Sequence, residues 1–168
     1  MTGTKKVHAD LRICAELVVA GLIMNEDREV LLVEWNSYWS VPTEHVQPED
    51  ETPEDALRRG MKEELGLDNL EIVKPLGSII RNRGSPNPKS IEIFFCKALE
   101  KEIKFYREPR GDKRIWIRLS QAQEMFDLDV LAKEAIERLK SQSLKRENGG
   151  STNERGGDFT IDCRSSNV

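Results

Sequence analysis

Apolar and polar positions change their period several times along the chain, and each change marks an element. Residues 12 to 24 form an apolar, β-branched run, interrupted by Glu16, that predicts a central strand, with Ala20-Gly21 as a bulge or a close backbone approach. Asn25-Glu26-Asp27 supplies a turn, and Glu29 to Trp35 reads as a second strand, so the pair makes a hairpin. Further on, Leu70 to Val73 and Leu76 to Ile80 read as strand segments broken at Pro75. Ile91 to Ala98 is apolar on both faces and predicts a buried strand, and Arg114 to Leu119 predicts one more.

The period turns helical after Thr52. Thr52 before Pro53, with Asp55 three positions on, gives an N-cap and a proline at the first helical position. Gly66 suits a left-handed C-terminal residue, so the run between them predicts a helix of about three turns. At roughly 100° per residue Leu57, Met61 and Leu65 share a stripe, with Ala56 at its margin. Glu64 falls inside that stripe and Glu63 at its edge, beyond Ala56 and Gly60. Two adjacent carboxylates leaning toward a buried surface ask for an arginine, a water-filled cleft or a divalent metal. The competing explanation is a glutamate at a frayed helix end that reaches solvent.

Ser120 predicts the cap of a short helix, Gln121 to Phe126, and Asp129 opens another whose Leu131, Ala132, Ala135, Ile136 and Leu139 share one face. Strands, a helix, more strands and a terminal helix add up to an α/β chain, a mixed sheet covered by helices. Residues 1–11 read as an N-terminal extension, 12–140 as the domain, and 141–168 as a polar, disordered tail with too little to bury. No internal repeat is visible.

Composition narrows the picture. The 168 residues fit one domain, and a net charge of −4 gives no global reason to bind nucleic acid. Three cysteines, Cys14, Cys96 and Cys163, form no C-x-x-C pair, which argues against a disulfide framework or a zinc site. The N-terminus lacks the apolar core of a signal peptide, and the run from Ile13 to Met24 is too short to span a bilayer. A cytoplasmic protein with no membrane partner is the expectation. Trp35, Tyr38 and Trp39 cluster before the helical segment, where they could stack on a base or serve as core and loop anchors. The basic, Gly/Pro-rich loop with Arg81 and Arg83 could contact phosphates or be an exposed hairpin connection.

Residues 39 to 67, WSVPTEHVQPEDETPEDALRRGMKEELGL, resemble the signature of the Nudix superfamily: a glycine, five residues, Glu, seven residues, Arg-Glu, an aliphatic residue, any residue, Glu-Glu, any residue, Gly and an aliphatic residue. Glu51, Arg59, Met61, Glu63, Glu64, Gly66 and Leu67 match at that spacing, and Trp39-Ser40-Val41-Pro42 is similar to the usual approach. The resemblance implies an α/β/α sandwich over roughly residues 12 to 140. It also implies a structural salt bridge between Glu51 and Arg59, and catalysis with Mg²⁺ or Mn²⁺ held by Glu63, Glu64 and the backbone carbonyl at His45. A loop acid often joins such sites, and Glu108 or Asp112 could take that part or sit in a solvated turn.

The departures are equally specific. Where the family has Arg-Glu this chain has Arg59-Gly60, so a principal metal-binding carboxylate is absent from the helix. Thr43, Glu44 and His45 replace the glycines expected after the proline, the loop to Glu51 is one residue longer, and Asp50 precedes that Glu. His45 falls at the motif's first glycine. Gly60 costs the helix about 1 kcal/mol relative to Ala and needs a reason. The first expectation is a hydrolase that cleaves a diphosphate linkage in a nucleoside diphosphate joined to another group, its substrate a small nucleotide. The alternative is an inactive Nudix-fold module that binds nucleotide, RNA or protein. A homodimer is compatible with either, and the linked group is not legible.

Overall fold

The computed structural model describes residues 16–99 and 113–148. Among the described residues seven strands and three helices follow in the order β1 (Glu16–Met24), β2 (Glu29–Trp35), β3 (Tyr38–Ser40), β4 (Thr43–His45), α1 (Pro53–Leu65), β5 (Leu70–Arg81), β6 (Lys89–Ala98), β7 (Arg114–Arg118), α2 (Leu119–Glu124) and α3 (Val130–Asn148). They form one mixed sheet in the order β3-β2-β1-β6-β5, with β4 added to β1 and β7 to β2. β1 lies in the middle, parallel to β6 from Glu16↔Lys89 to Met24↔Lys97. The other pairings are antiparallel.

Each face of β1 feeds its own core, because successive side chains in a strand point to opposite sides. Val19 and Ile23 pack with Leu31, Leu57, Met61 and Leu65 under α1. Val18, Ala20 and Leu22 pack with Leu131, Ala135 and Ile136 under α2 and α3. The result is the mixed sheet covered by helices that the order of elements predicts, in the α/β/α arrangement that the resemblance implies. Fully burying Leu57, Met61 and Leu65 contributes about 2 kcal/mol apiece, which sets the angle of α1 on the sheet. Its ends are fixed locally: the Asp55 N–H donates to Thr52 Oγ1 (3.1 Å), and Gly66 closes the C-terminus at φ 65°.

Several boundaries differ from the sequence pattern. Leu70–Arg81 is one strand, and two register shifts, at Ile72/Lys74 and Pro75/Gly77, absorb the proline. An edge strand tolerates this, because its outer side has no ladder to break. α2 begins at Leu119 with Arg118 at its N-cap and no side-chain cap, so Ser120 does not perform the capping expected of it. α3 runs on through Asn148, into the stretch expected to be disordered. Cys96 is buried, which pushes its thiol up to about 12 and leaves it inert to oxidation near neutral pH. Cys14 and Cys163 lie outside the described residues. Among the described residues no helix is long and apolar enough to cross a membrane.

The second shift in β5 places Gly77 at φ +98°, with Arg138 of α3 donating to the carbonyls on either side of it, Leu76 (3.2 Å) and Ser78 (3.3 Å). A Cβ there would lie 2.8 Å from Arg138 Nη1. Gly77→Ala is therefore expected to lower the unfolding free energy by about 1–2 kcal/mol, read as a shifted urea midpoint at constant slope. An unchanged midpoint would mean that this bulge does not hold α3.

Candidate active site

The sheet changes partners along one edge of β1, and a cleft forms at the change. β4 pairs with Val18, Val19 and Ala20, whereas β2 meets β1 at Met24. The opening, about 760 Å³, is lined by residues of β1 to β4, by Glu64 and Leu65 of α1, and by Arg81, Lys89, Arg114 and Asp129.

Its rim is shaped by a two-residue connection between β2 and β3. Asn36 and Ser37 both adopt positive φ, 48° and 68°, the turn whose twist matches a hairpin. Trp35 and Tyr38 are thereby set opposite each other across the strands, both well exposed and both lining the cleft. Trp39 does not join them. It packs against the core, while its backbone bonds the start of α3 through Asp127 O and Asp129 N. Asp129 in turn accepts from Ser40 Oγ (3.0 Å) and pairs with Arg81, which fixes that guanidinium in the cleft. Arg83 is exposed in the following loop and does not line the cleft.

Arg59 is the centre of the helix-side arrangement. Its Nε and Nη2 both donate to the Asp50 carboxylate, at 2.9 Å each, and Nη2 also donates to His45 O (3.0 Å). Nη1 stands 3.6 Å from both Glu44 Oε1 and Glu63 Oε2. The salt bridge expected with Glu51 is thus made by its neighbour, and Glu51 is exposed. The reason is local. Asp50 is held in a tight turn with Gln47, whose N–H donates to Asp50 Oδ2 (2.8 Å), and this aims the carboxylate at the guanidinium. The Arg59 hydrogen bonds, then the Gln47 bond, hold the Asp50 carboxyl below the usual carboxylate range, and the same contact raises the guanidinium.

Glu64 lies at the cleft and Glu63 is half exposed beside Arg59. The His45 side chain turns away to Glu16 (Nδ1 to Oε1, 2.7 Å), so only its carbonyl faces the motif helix. Glu108 and Asp112 lie outside the described residues. Sequence reasoning missed Glu44. Its side chain is mostly buried, its Oε1 accepts from His45 N–H (3.0 Å), and it occupies the space beside Gly60. A Cβ on residue 60 would lie 2.4 Å from Glu44 Cγ, 2.5 Å from Oε2 and 2.7 Å from Cβ. That contact is the reason for a glycine in the helix interior.

The sequence profile of the NUDIX domain matches residues 16–139. The chain belongs to the Nudix family. No curated protein matches this Nudix chain. Among solved structures it is similar to the MutT protein from Methanosarcina mazei Go1, at 22% identity, covering 77% of this chain and 95% of that one with a TM-score of 0.60. The NUDIX domain of Shewanella oneidensis NrtR, complexed with ADP ribose, gives 16%, 77%, 88% and 0.60 on the same measures. The C. elegans Ap4A hydrolase gives 19%, 77%, 98% and 0.58. At these identities the likeness shows the fold.

Nudix hydrolases generally use divalent metals. Among the described residues no group of three or more His, Cys, Asp or Glu side chains is placed to hold one. A hard divalent ion does not need such a group. It takes one or two carboxylates together with substrate phosphates and water, and Glu64 at the cleft and Glu63 beside Arg59 are donors of that chemistry on α1. The donor set fits a single ion shared with substrate.

The Asp50 pairing has a pH signature. A carboxylate with a lower pKa in the folded than in the unfolded chain stabilises above its unfolded value and loses that contribution as pH falls through the folded one. The stability gap between native protein and Asp50→Asn is expected to stay level from about pH 8 to about pH 5 and to close on acidification below the ordinary value of 3.8. Glu51→Gln, by contrast, should leave the denaturation midpoint at pH 7 in place. A gap that fades between pH 7 and pH 5, or a larger loss in Glu51→Gln, would reassign the Arg59 partner.

Proposed function

We propose that this chain is a Nudix-type hydrolase cleaving a diphosphate linkage in a nucleoside diphosphate joined to another group. One observation carries the reading: Glu64 shares a single cleft with an exposed aromatic pair, Trp35 and Tyr38, and with the cations Arg81, Lys89 and Arg114. A nucleotide carries those complements, a flat base and a run of phosphate charge. Trp35 and Tyr38 offer a face for the base. Arg81, held by Asp129, and Lys89 and Arg114 face the phosphates, where charge-assisted hydrogen bonds are strong. Glu63 and Glu64 would hold Mg²⁺ or Mn²⁺, whose chemistry when bound is to neutralise the diphosphate and lower the pKa of the attacking water. The ADP ribose of the Shewanella complex is a molecule of this class, which supports the choice.

A second reading, a module that binds nucleotide without turnover, is favoured by the contacts of Arg59 with Glu44 and Glu63. The two separate in one assay. Mg²⁺-dependent release of a monophosphate from a panel of nucleotide sugars, dinucleotides and nucleoside triphosphates is expected for the native chain, and Glu64→Gln is expected to lower it by about a hundredfold or more. No turnover across the panel, alongside measurable nucleotide binding, would establish the second reading instead.

A further inference from the structure

Arg59 supplies the register that the loop sequence leaves ambiguous. Its partner is Asp50, and six positions before Asp50 stands Glu44. Counted from the carboxylate that makes the structural salt bridge, the motif's first glycine is therefore occupied by Glu44, one residue before His45. At the other end of the motif, the family's glutamate is Gly60. The chain has a glutamate where the pattern has glycine and a glycine where it has glutamate, and these two positions touch, as the 2.4 Å approach to a residue 60 Cβ shows.

The contact is directional. His45 N–H and Arg59 both fall on Glu44 Oε1, while Oε2 stands 2.5 Å from where the residue 60 Cβ would be. Residues three and four apart on a helix are neighbours on one face, so a carboxylate over position 60 lies one turn from Glu63 and Glu64. The strand β4 thus delivers an acid to the place that α1 has vacated.

We propose that Glu44 is a catalytic residue of this site: it supplies from β4 the carboxylate that family members carry at helix position 60, and with Glu64 and the substrate phosphates it would share the divalent ion, while Glu63 stands beside Arg59. The proposal rests on the hydrolase reading above. Glu44 and Gly60 then form a reciprocal pair, each permitted by the other. A glutamate restored at 60 alone has no room, since both Cβ and Cγ of Glu44 lie within 2.7 Å of its first side-chain atom.

The test is Mn²⁺ calorimetry with methylene-bridged ADP present, together with thermal melting, on the full chain. Glu44→Gln keeps the side-chain shape and is expected to melt near the native temperature yet bind Mn²⁺ at least tenfold more weakly. Gly60→Glu is expected to melt markedly lower. The double variant Glu44→Gly with Gly60→Glu is expected to regain the native melting temperature and Mn²⁺ affinity within a few-fold. Native Mn²⁺ affinity in Glu44→Gln, or a double variant no better than Gly60→Glu, would overturn the assignment. If Glu64→Gln loses Mn²⁺ binding while Glu44→Gln does not, only Glu44 falls. If the native chain binds no Mn²⁺ at all, the hydrolase reading falls with it.

Discussion

A single guanidinium ties the motif together. α1 is seated by its apolar stripe, whereas the loop before it gives the core only Val46 at its start, so the rest of the loop depends on what Arg59 can reach from the helix. A planar fork of donors suits this task. It takes both oxygens of Asp50, the His45 carbonyl at the end of β4, and the nearer edges of Glu44 and Glu63. The charge is mostly withdrawn from solvent, a costly state unless it is matched by oxygens, and the matching is what places β4 against α1. Every later feature of the helix side follows from that docking, including the position of Glu44 over Gly60.

The cleft has a separate origin in the sheet. β1 is committed to β6 along its whole length, but its other edge is shared, first by β4 and then by β2. Two strands pairing with one edge at different heights diverge between them. The concavity is therefore a property of topology, and residues from all seven strands line it. The Asn36-Ser37 turn adds a cost of its own, since a serine at positive φ is strained by about 1 kcal/mol or more. What that strain secures is the cross-strand opposition of Trp35 and Tyr38 at the rim.

The parts of this structure legible in the sequence are those set by local signals. Thr52, Pro53 and Gly66 bound α1, and the 3.6-residue spacing of Leu57, Met61 and Leu65 names its buried side; each works within a few residues. The β1–β2 hairpin was legible from its turn, but contacts between segments distant in sequence were not. β4 is only three residues long, Thr43-Glu44-His45, too short for any period to declare it. Asp50 and Glu51 are adjacent acids with equal claims on Arg59, and only the turn at Gln47 decides between them. Pro75 reads as a break because proline lacks an N–H, yet at a sheet edge a bulge is enough to keep the strand whole. Gly60 read as a deficit since its partner lies sixteen residues earlier, on a strand that the pattern did not reveal.

That last case bears on how a signature should be read. The electrostatic effect of a carboxylate depends on where its charge stands, through distance and local dielectric, and is indifferent to which backbone carries it. A motif written as a string of residue types records the carrier and omits the position. When a strand and a helix are in contact, a glycine and a glutamate on facing positions are two halves of one requirement: one acid, and room for it. Exchanging the carriers preserves both. Either change alone violates one, by crowding two acidic side chains into the space of one or by leaving Arg59 and its neighbours an oxygen short. The two substitutions are therefore coupled by packing as much as by charge, and a chain that departs from the pattern at both positions together is closer to it, in physical terms, than a chain that departs at one.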